Sequence, residues 1–437
     1  MKRIFVLLAA ASCAAADPDW AALDKTALDL LQRYIRIESI NPPGDTTAAA
    51  KLYQSVLESS GIPARLFSTG PSGQVNLLAR LPGRDRSKKP LLLLNHFDVV
   101  PVDRKAWKFD PFAALIQDGQ IWGRGALDMK GIGIQQLLAF VTLKQTGVVP
   151  PRDVVLLATA DEENNGIYGI RWMIANQWRE IDAEYALDEG GFGTRDILAD
   201  GKLVFGIPVG EKQSVWLRVR ARGTAAHGSQ PIPDNANLTL LEALRKAMAL
   251  PPARPHPVIA EMVRATGGPL ASNKYTAAIQ ANTVSLTTLA AGVGSPPRTN
   301  VIPSTAEATL DCRLLPGVDA AEFISEMKAR VNDPQVSIDL ESVVNNPGVS
   351  SSRTPLFEAI GRAVTRHHPG AIVTPILVPH GTDSANLRMK RVTAYGLTPM
   401  VLDRATAGSM HGDEERIPVA EFLKGLRIYY DLLRSEY

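Results

Sequence analysis

"LLLLNHFDVVP", residues 91–101, is the stretch that decides the fold. A strand with one wet face alternates apolar and polar residues, so an unbroken apolar run bounded by turn signals reads as a strand covered on both faces. The polar turn "LPGRDRSKKP" at 81–90 precedes it, and His96 and Asp98 stand at its exit. In open α/β sheets ligands bind beyond the carboxyl ends of the strands. The apolar run therefore predicts a central strand, and the two polar residues after it mark where chemistry should be sought.

The same design recurs along the chain. "DVVLLATA" at 153–160 runs into Asp161, Glu162 and Glu163, and "AEYAL" at 183–187 runs into Asp188 and Glu189. Further strands are expected at 62–67 and 75–80, with helices over 20–37, 47–60, 131–146 and 168–178; "NPPG" at 41–44 stops the first helix. Strands alternating with helices predict an open α/β sheet. Asp128 lies in the glycine-rich "GRGALDMKGIG", just before a helix. Carboxylates gathered on one sheet edge repel one another unless cations sit among them. A metal centre resolves that conflict.

Near residue 214 the pattern changes. "SVWLRVRAR" alternates, with Val215, Leu217, Val219 and Ala221 on one face and Trp216, Arg218, Arg220 and Arg222 on the other, as in an antiparallel strand with one solvated face. With a helix at 234–250, a strand at 304–314 and a helix at 319–331, this forms a smaller α+β unit. The expected architecture is an open α/β-sheet catalytic domain, residues 17–212 and 329–437, interrupted by a lid or dimerisation domain at 213–328. A chain of 437 residues exceeds what one hydrophobic core usually serves, which agrees with two domains.

The 47 basic and 45 acidic residues are spread along the chain, giving a net charge of +2. Without basic blocks, nucleic acid and membrane surfaces are not expected partners. The N-terminus differs: Lys2 and Arg3, an apolar stretch from Ile4 to Ala11, then Ala14 and Ala16 in an A-x-A arrangement before Asp17. That is the order of a secretory signal peptide over 1–16, which implies a periplasmic or secreted protein without an integral membrane span. Lipid attachment at Cys13 is the less favoured reading, because the leucine usual three residues ahead of such a cysteine is missing. After cleavage only Cys312 remains, so no internal disulfide forms.

One imidazole per ion with several carboxylates suits a borderline divalent metal such as zinc. His96 needs a partner histidine, and His227, His380 and His411 lie in short polar loops containing glycine. His411, ahead of the final helix at 417–434, suits the first domain better than His227, which lies in the inserted one.

The segments "NHFDVVP", "GRGALDMKG", "ATADEENNG", "ALDEGGF", "RGTAAHGS", "TNVIPSTAEATLDCRLLPG", "GTDSAN" and "MHGDEERI" resemble, in order, those of the M20 metallopeptidases. This family contains co-catalytic dizinc carboxypeptidases and aminoacylases. The closest likeness is to the branch of Gly-X carboxypeptidases and N-fatty-acyl-amino-acid hydrolases. The resemblance implies that Asp128 bridges two divalent ions, Zn2+ first with Co2+ or Mn2+ as alternatives, and that His96, Glu163, Asp188 and His411 complete the ligands. It implies that Glu162 is the general base acting on a water between the metals, that Asp98 fixes the His96 ring, and that His227 stabilises the oxyanion, often from a partner subunit. Asn300 and Arg313 would bind the substrate carboxylate, and Gly381, Thr382 and Asp383 would form a substrate-side loop. His380 departs from the branch, where a small residue is usual.

The implied activity is hydrolysis of an amide bond next to a free carboxylate, in small peptides or N-acyl amino acids, by a homodimer. Two other readings stand beside it. One is a deacetylase or esterase using the same site. The other is a metal-retaining binding protein without turnover, which would have no need of Glu162.

Overall fold

The computed structural model describes residues 17–344 and 348–437. The leader reading of 1–16 and the fate of Cys13 lie outside the described residues. Among those described, no helix is long and apolar enough to cross a membrane.

Six strands form the main sheet in the order Ala64–Ser68, Val75–Leu81, Val154–Thr159, Leu91–His96, Tyr185–Asp188, Thr393–Gly396. The last four are mutually parallel, and the first two join antiparallel. In register, Leu91 pairs with both Val154 and Tyr185, and His96 pairs with Thr159, so the parallel strands finish along one edge. Leu91 and Leu93 pack into the large core under helices Trp20–Ile35, Thr47–Ser59, Gly131–Gln145 and Val419–Arg434. Leu92 and Leu94 pack into the opposite layer with Ile170, Met173 and Leu387. Both faces are dry, which is why the run does not alternate.

Beside this sheet, Ile372–Val378 pairs in parallel with Val204–Glu211, which also carries the short strand Gly193–Thr194. The chain then passes from Glu211 to Gln213 into the inserted unit. There the strands Thr283–Ala291, Thr305–Leu314, Gln213–Arg222 and Val336–Val343 form an antiparallel sheet in that order. Helices Ala236–Ala247 and Ala320–Val331 cover one face. Val215, Leu217, Val219 and Ala221 meet Leu240, Leu244, Phe323 and Met327 in a separate core. On the other face Arg218 pairs with Glu307 and Glu341.

The inserted unit differs from the expected span of 213–328 in two ways. Its last strand extends it to Val343. That strand is an exposed edge with Ile338 as its one buried residue, so it has no apolar signature to read. Residues 251–282, conversely, cross back to the catalytic body. Helix Pro257–Thr266 places Val258, Ile259 and Met262 in the large core, and Ile279 of helix Lys274–Gln280 joins them. Local periodicity reveals an amphipathic helix there, but not which domain it faces.

Candidate functional site

The site lies along the edge where the parallel strands end. His96 closes its strand and is buried, as is Asp98 beyond it. Strand Val154–Thr159 leads to Asp161, whose φ of 70° turns the chain into the short turn Glu162–Asn164. Asp128 lies in the non-helical segment between Gly125 and helix Gly131–Gln145. Gly125 has φ 84°, a left-handed conformation that glycine takes without steric cost. His411 reaches the same place from the turn before strand Arg416–Pro418.

Asp128 is the centre of the arrangement. Its Oδ1 lies 3.1 Å from His96 Nε2 and its Oδ2 lies 3.1 Å from His411 Nε2. Glu189 Oε2 is 3.7 Å from His96 Nε2, and Glu163 Oε1 is 3.4 Å from His411 Nε2. Two donor sets result, His96/Asp128/Glu189 and Asp128/Glu163/His411, sharing Asp128; His96, Glu162 and Glu163 form a third overlapping group. Each lobe offers one imidazole and one glutamate of its own. Glu163 Oε1 is buried without a hydrogen bond, an atom left for a cation. The residues therefore fit two divalent ions bridged by Asp128.

The resemblance assigned Asp188 to the ligands, and the geometry instead turns it away. Asp188 Oδ2 accepts hydrogen bonds from Ser384 N (2.9 Å) and Ser384 Oγ (2.8 Å), while the next residue, Glu189, enters the donor set. Neighbouring side chains of an extended chain point in opposite directions, so one of the two faces the site. Sequence alone carries no signal for which.

Asp98 also does something other than expected. The close partner of His96 Nδ1 is the Asp98 carbonyl oxygen at 2.9 Å, with the carboxylate at 3.6 Å. That carboxylate instead accepts the N–H groups of Glu162 and Glu163, each at 3.2 Å, and the side-chain amide of Asn41 at 2.8 Å. It orients the turn that carries both glutamates. Asn41 binds Asp161 as well, at 3.0 Å, a role hidden in "NPPG".

Glu415 is a second residue that sequence reasoning passes over. It is fully buried and accepts Arg124 Nη1 (2.5 Å) and the main-chain N–H groups of Gly125 (3.0 Å), Leu127 (2.8 Å) and Asp128 (3.0 Å). Arg124 Nη2 donates to the His411 carbonyl at 3.2 Å. The loops of Asp128 and His411 are thereby tied together.

Electrostatics follow the crowding. Burial pushes Glu162 well above the ordinary carboxylate range, and neighbouring Glu189 pushes in the same direction. Burial and Asp128 do the same to Glu189 and raise Glu163. Burial opposes a charge on His96, but Asp128, Asp98 and Glu189 outweigh it and hold the ring well above its usual value. Asp128 and Glu163 lift His411 to about 10. The cluster thus holds protons where cations would replace them.

A cavity of about 620 Å3 opens beside Glu162 and Glu163. Gly381, Thr382 and Asp383 form part of its wall. Glu211 accepts the Thr382 N–H and pairs with Arg388, fixing that loop, and Thr159 Oγ1 donates to Asp383 at 3.1 Å. Arg313 lines the cavity from the inserted unit, over the Trp216 ring at 5.4 Å, with both Asp311 oxygens bound at 2.7 and 3.0 Å. Asn300 and His227 come together elsewhere, at the ladder of Ala226–His227 with Val301–Ile302, beside which Gly228 N donates to the Asn300 carbonyl at 2.7 Å. His227 is exposed, its Nδ1 2.8 Å from Ser229 Oγ, and neither residue lines the cavity. One chain does not bring these two to the cluster.

Aminoacylase-1 of Sus scrofa is 30% identical over 411 residues, covering 93% of this chain and 94% of that protein. The human N-fatty-acyl-amino acid synthase/hydrolase PM20D1 is 28% identical, covering 82% and 76%. The crystal structure of the M20 family metallo-carboxypeptidase Sso-CP2 from Sulfolobus solfataricus superposes with a TM-score of 0.67 at 19% identity, over 93% of this chain and 98% of that one. Residues 92–435, from the His96 strand to the final helix, match the description of peptidase family M20/M25/M40, and the chain belongs to that family of hydrolases.

Proposed function

We propose that this protein is a metal-dependent amidohydrolase that cleaves the amide bond next to a free carboxylate in small peptides or N-acyl amino acids. The observation that carries the reading is the Asp128 carboxylate, with one imidazole 3.1 Å from each oxygen. His96 and Glu189 would hold one divalent ion and His411 and Glu163 the other, with Asp128 shared. Zinc suits this nitrogen and carboxylate set, and Co2+ or Mn2+ would also be accepted. When bound, such ions polarise the amide carbonyl and make water more acidic.

The chain's own groups do the rest. Glu162 lies beside both lobes without belonging to either of the sets that share Asp128. It takes a proton from the attacking water as the new C–O bond forms, and delivers it to the amide nitrogen as the C–N bond breaks. Asp98 keeps Glu162 in reach through its backbone N–H. Arg313 on the cavity wall and Asn300 would receive the substrate carboxylate, and His227 would donate to the developing oxyanion.

The positions of Asn300 and His227 away from the cluster support assembly of the site from two copies of the chain. A homodimer would form through the inserted unit. Leu238, Leu241 and Met248 are exposed along and just after helix Ala236–Ala247, and Leu286 and Leu289 are exposed on edge strand Thr283–Ala291, whose outer side has no strand partner among the described residues. Apolar side chains on an unpaired edge favour pairing with another copy. The basic, apolar and small-residue order of 1–16 supports export to the periplasm or beyond.

The test is a panel of dipeptides, N-acyl amino acids and their C-terminal amides, offered to the metal-loaded protein. Free acids should be cleaved and amides poorly. Equal rates on amides would refute the carboxylate requirement, and turnover of acetate esters or N-acetyl amines alone would favour an esterase or deacetylase.

A further inference from the structure

We infer that Arg171, with Asn165 and Asn386, forms a subsite for a second carboxylate of the substrate, distinct from the one beside the scissile amide. The inference rests on the amidohydrolase reading and narrows its substrate to dicarboxylic molecules. All three residues line the cavity beside Glu162 and Glu163. Asn165 follows the glutamate turn at φ 76°, Arg171 lies on helix Ile170–Asn176, and Asn386 lies on helix Ser384–Met389. They reach the cavity from separate elements.

What sets them apart is the state of their donors. Of the cations lining the cavity, Lys212 is consumed by Ala278 O (2.8 Å), Ala281 O (2.7 Å) and Thr283 Oγ1 (2.9 Å), and Arg313, held by Asp311, is the one that would receive the carboxylate beside the scissile amide. Arg388, behind the wall, is neutralised by Glu211. Among the described residues Arg171 is the lining cation whose side chain has neither ion pair nor hydrogen bond, although Glu162 and Glu163 line the same cavity. Among the described residues the Asn165 and Asn386 carboxamides likewise have no partner. A planar guanidinium and two amides lining one cavity offer donors matched to a carboxylate.

The charge of the cavity makes such a cation useful. Glu162, Glu163, Glu211 and Asp383 all face or line it. A substrate with two negative groups would be repelled by these carboxylates unless a cation received one of them. The second anion can sit on either side of the scissile bond, on the amino-acid side chain or on the acyl group.

Two isosteric pairs distinguish these sources: N-acetylglutamate against N-acetylglutamine, and N-succinyl-leucine against its terminal monoamide. In the wild-type dimetal enzyme, kcat/KM should favour the dianion in one pair, and the pair that responds locates the anion. Arg171→Ala should reduce that ratio about ten- to a hundredfold, the usual scale for a hydrogen bond to a charged group. Arg171→Lys should restore part of it, and Arg171→Glu should reverse the preference. Because each ratio is taken within one protein, a loss of overall activity does not blur the result. A wild-type ratio of one or less in both pairs, or a ratio unaltered by Arg171→Ala, overturns the subsite. If no amide is turned over, the amidohydrolase reading fails. Calorimetric binding of N-acetylglutamate, N-succinyl-leucine and their neutral partners to wild type and Arg171→Ala then decides the subsite separately, and equal affinities overturn it.

Discussion

Glu415 Oε1 accepts the main-chain N–H of Asp128 at 3.0 Å, so the carboxylate shared by the two donor sets hangs from the loop that follows His411. The same glutamate is the buried counter-charge of Arg124. Glu415→Ala should therefore cost about 3–5 kcal/mol of stability, the usual result of stranding one member of a buried ion pair. Urea denaturation measures the loss. Equilibrium dialysis should show weaker metal binding in any fraction that folds.

Glu189→Gln and Asp188→Asn separate the two acids that follow one strand. The first should weaken metal binding about a hundredfold or more at one of two sites, since it removes a charged donor, and the second should leave two ions per chain. Metal counting on dialysed protein gives the answer. Retention of both ions by Glu189→Gln alongside loss in Asp188→Asn would restore Asp188 as the ligand.

Glu162→Gln should retain both ions and lose turnover by about a hundred- to ten-thousandfold, the range for removing a positioned proton carrier. Metal content and kcat measured on the same sample distinguish this from a ligand loss. A metal-free Glu162→Gln protein would show that Glu162 and Glu163 have exchanged roles.

His227→Ala should lower kcat about a hundredfold or more with metal content unchanged, the scale for an oxyanion donor. If the donor arrives from a second copy, mixing His227→Ala with Glu162→Gln subunits should restore partial activity, because some mixed dimers then contain one complete site. No recovery after verified subunit exchange would place His227 in the same chain's site.

Asp431 offers a pH test remote from the metals. Burial raises its pKa, but His367 at 2.9 Å, Arg434 at 2.8 Å and Arg366 at 3.2 Å outweigh burial and bring it down to about 2. A carboxylate depressed on folding stabilises the fold above its unfolded pKa, near 3.9, and that contribution disappears as pH falls through the folded value. Asp431→Asn should cost up to about 2 kcal/mol at pH 6, and the gap from wild type should close between roughly pH 4 and pH 2. Denaturation curves across that range provide the measurement.

Much of this arrangement is legible in the residues. The leucine run specifies a strand dry on both faces, and three strand exits rich in acid announce the edge where His96, Glu162 and Glu163 meet Asp128. Partnerships at long range were not legible. Glu415 is separated from Asp128 by 287 positions, and nothing in "HGDEERI" says which of its acids is buried. The choice between Asp188 and Glu189 depends on which way the chain leaves its strand, a torsional matter that composition does not encode. Val336–Val343 has too few buried residues to declare its domain, and helix Pro257–Thr266 has an apolar face without an address. Arg313 reads as a free cation in sequence, while its charge is already bound to Asp311.

The return of residues 251–282 to the catalytic body changes the mechanics of the inserted unit. An insertion joined by one entry and one exit behaves like a panel on a single hinge, free to swing and to twist. Here the chain passes between the two bodies four times, near 212, 251, 282 and 344, and Lys212 Nζ staples the first passage to the third through Ala281 O and Thr283 Oγ1. Two fastened passages define a line, and a rotation about that line would leave both in place. Trp216 rides on the strand that begins at the first passage, and Arg313 on the neighbouring strand whose last residue, Leu314, pairs with Gln213, whereas His227 sits on the separate two-stranded ladder. A small turn would therefore move the cavity wall little and carry the far end of the panel through a wide arc.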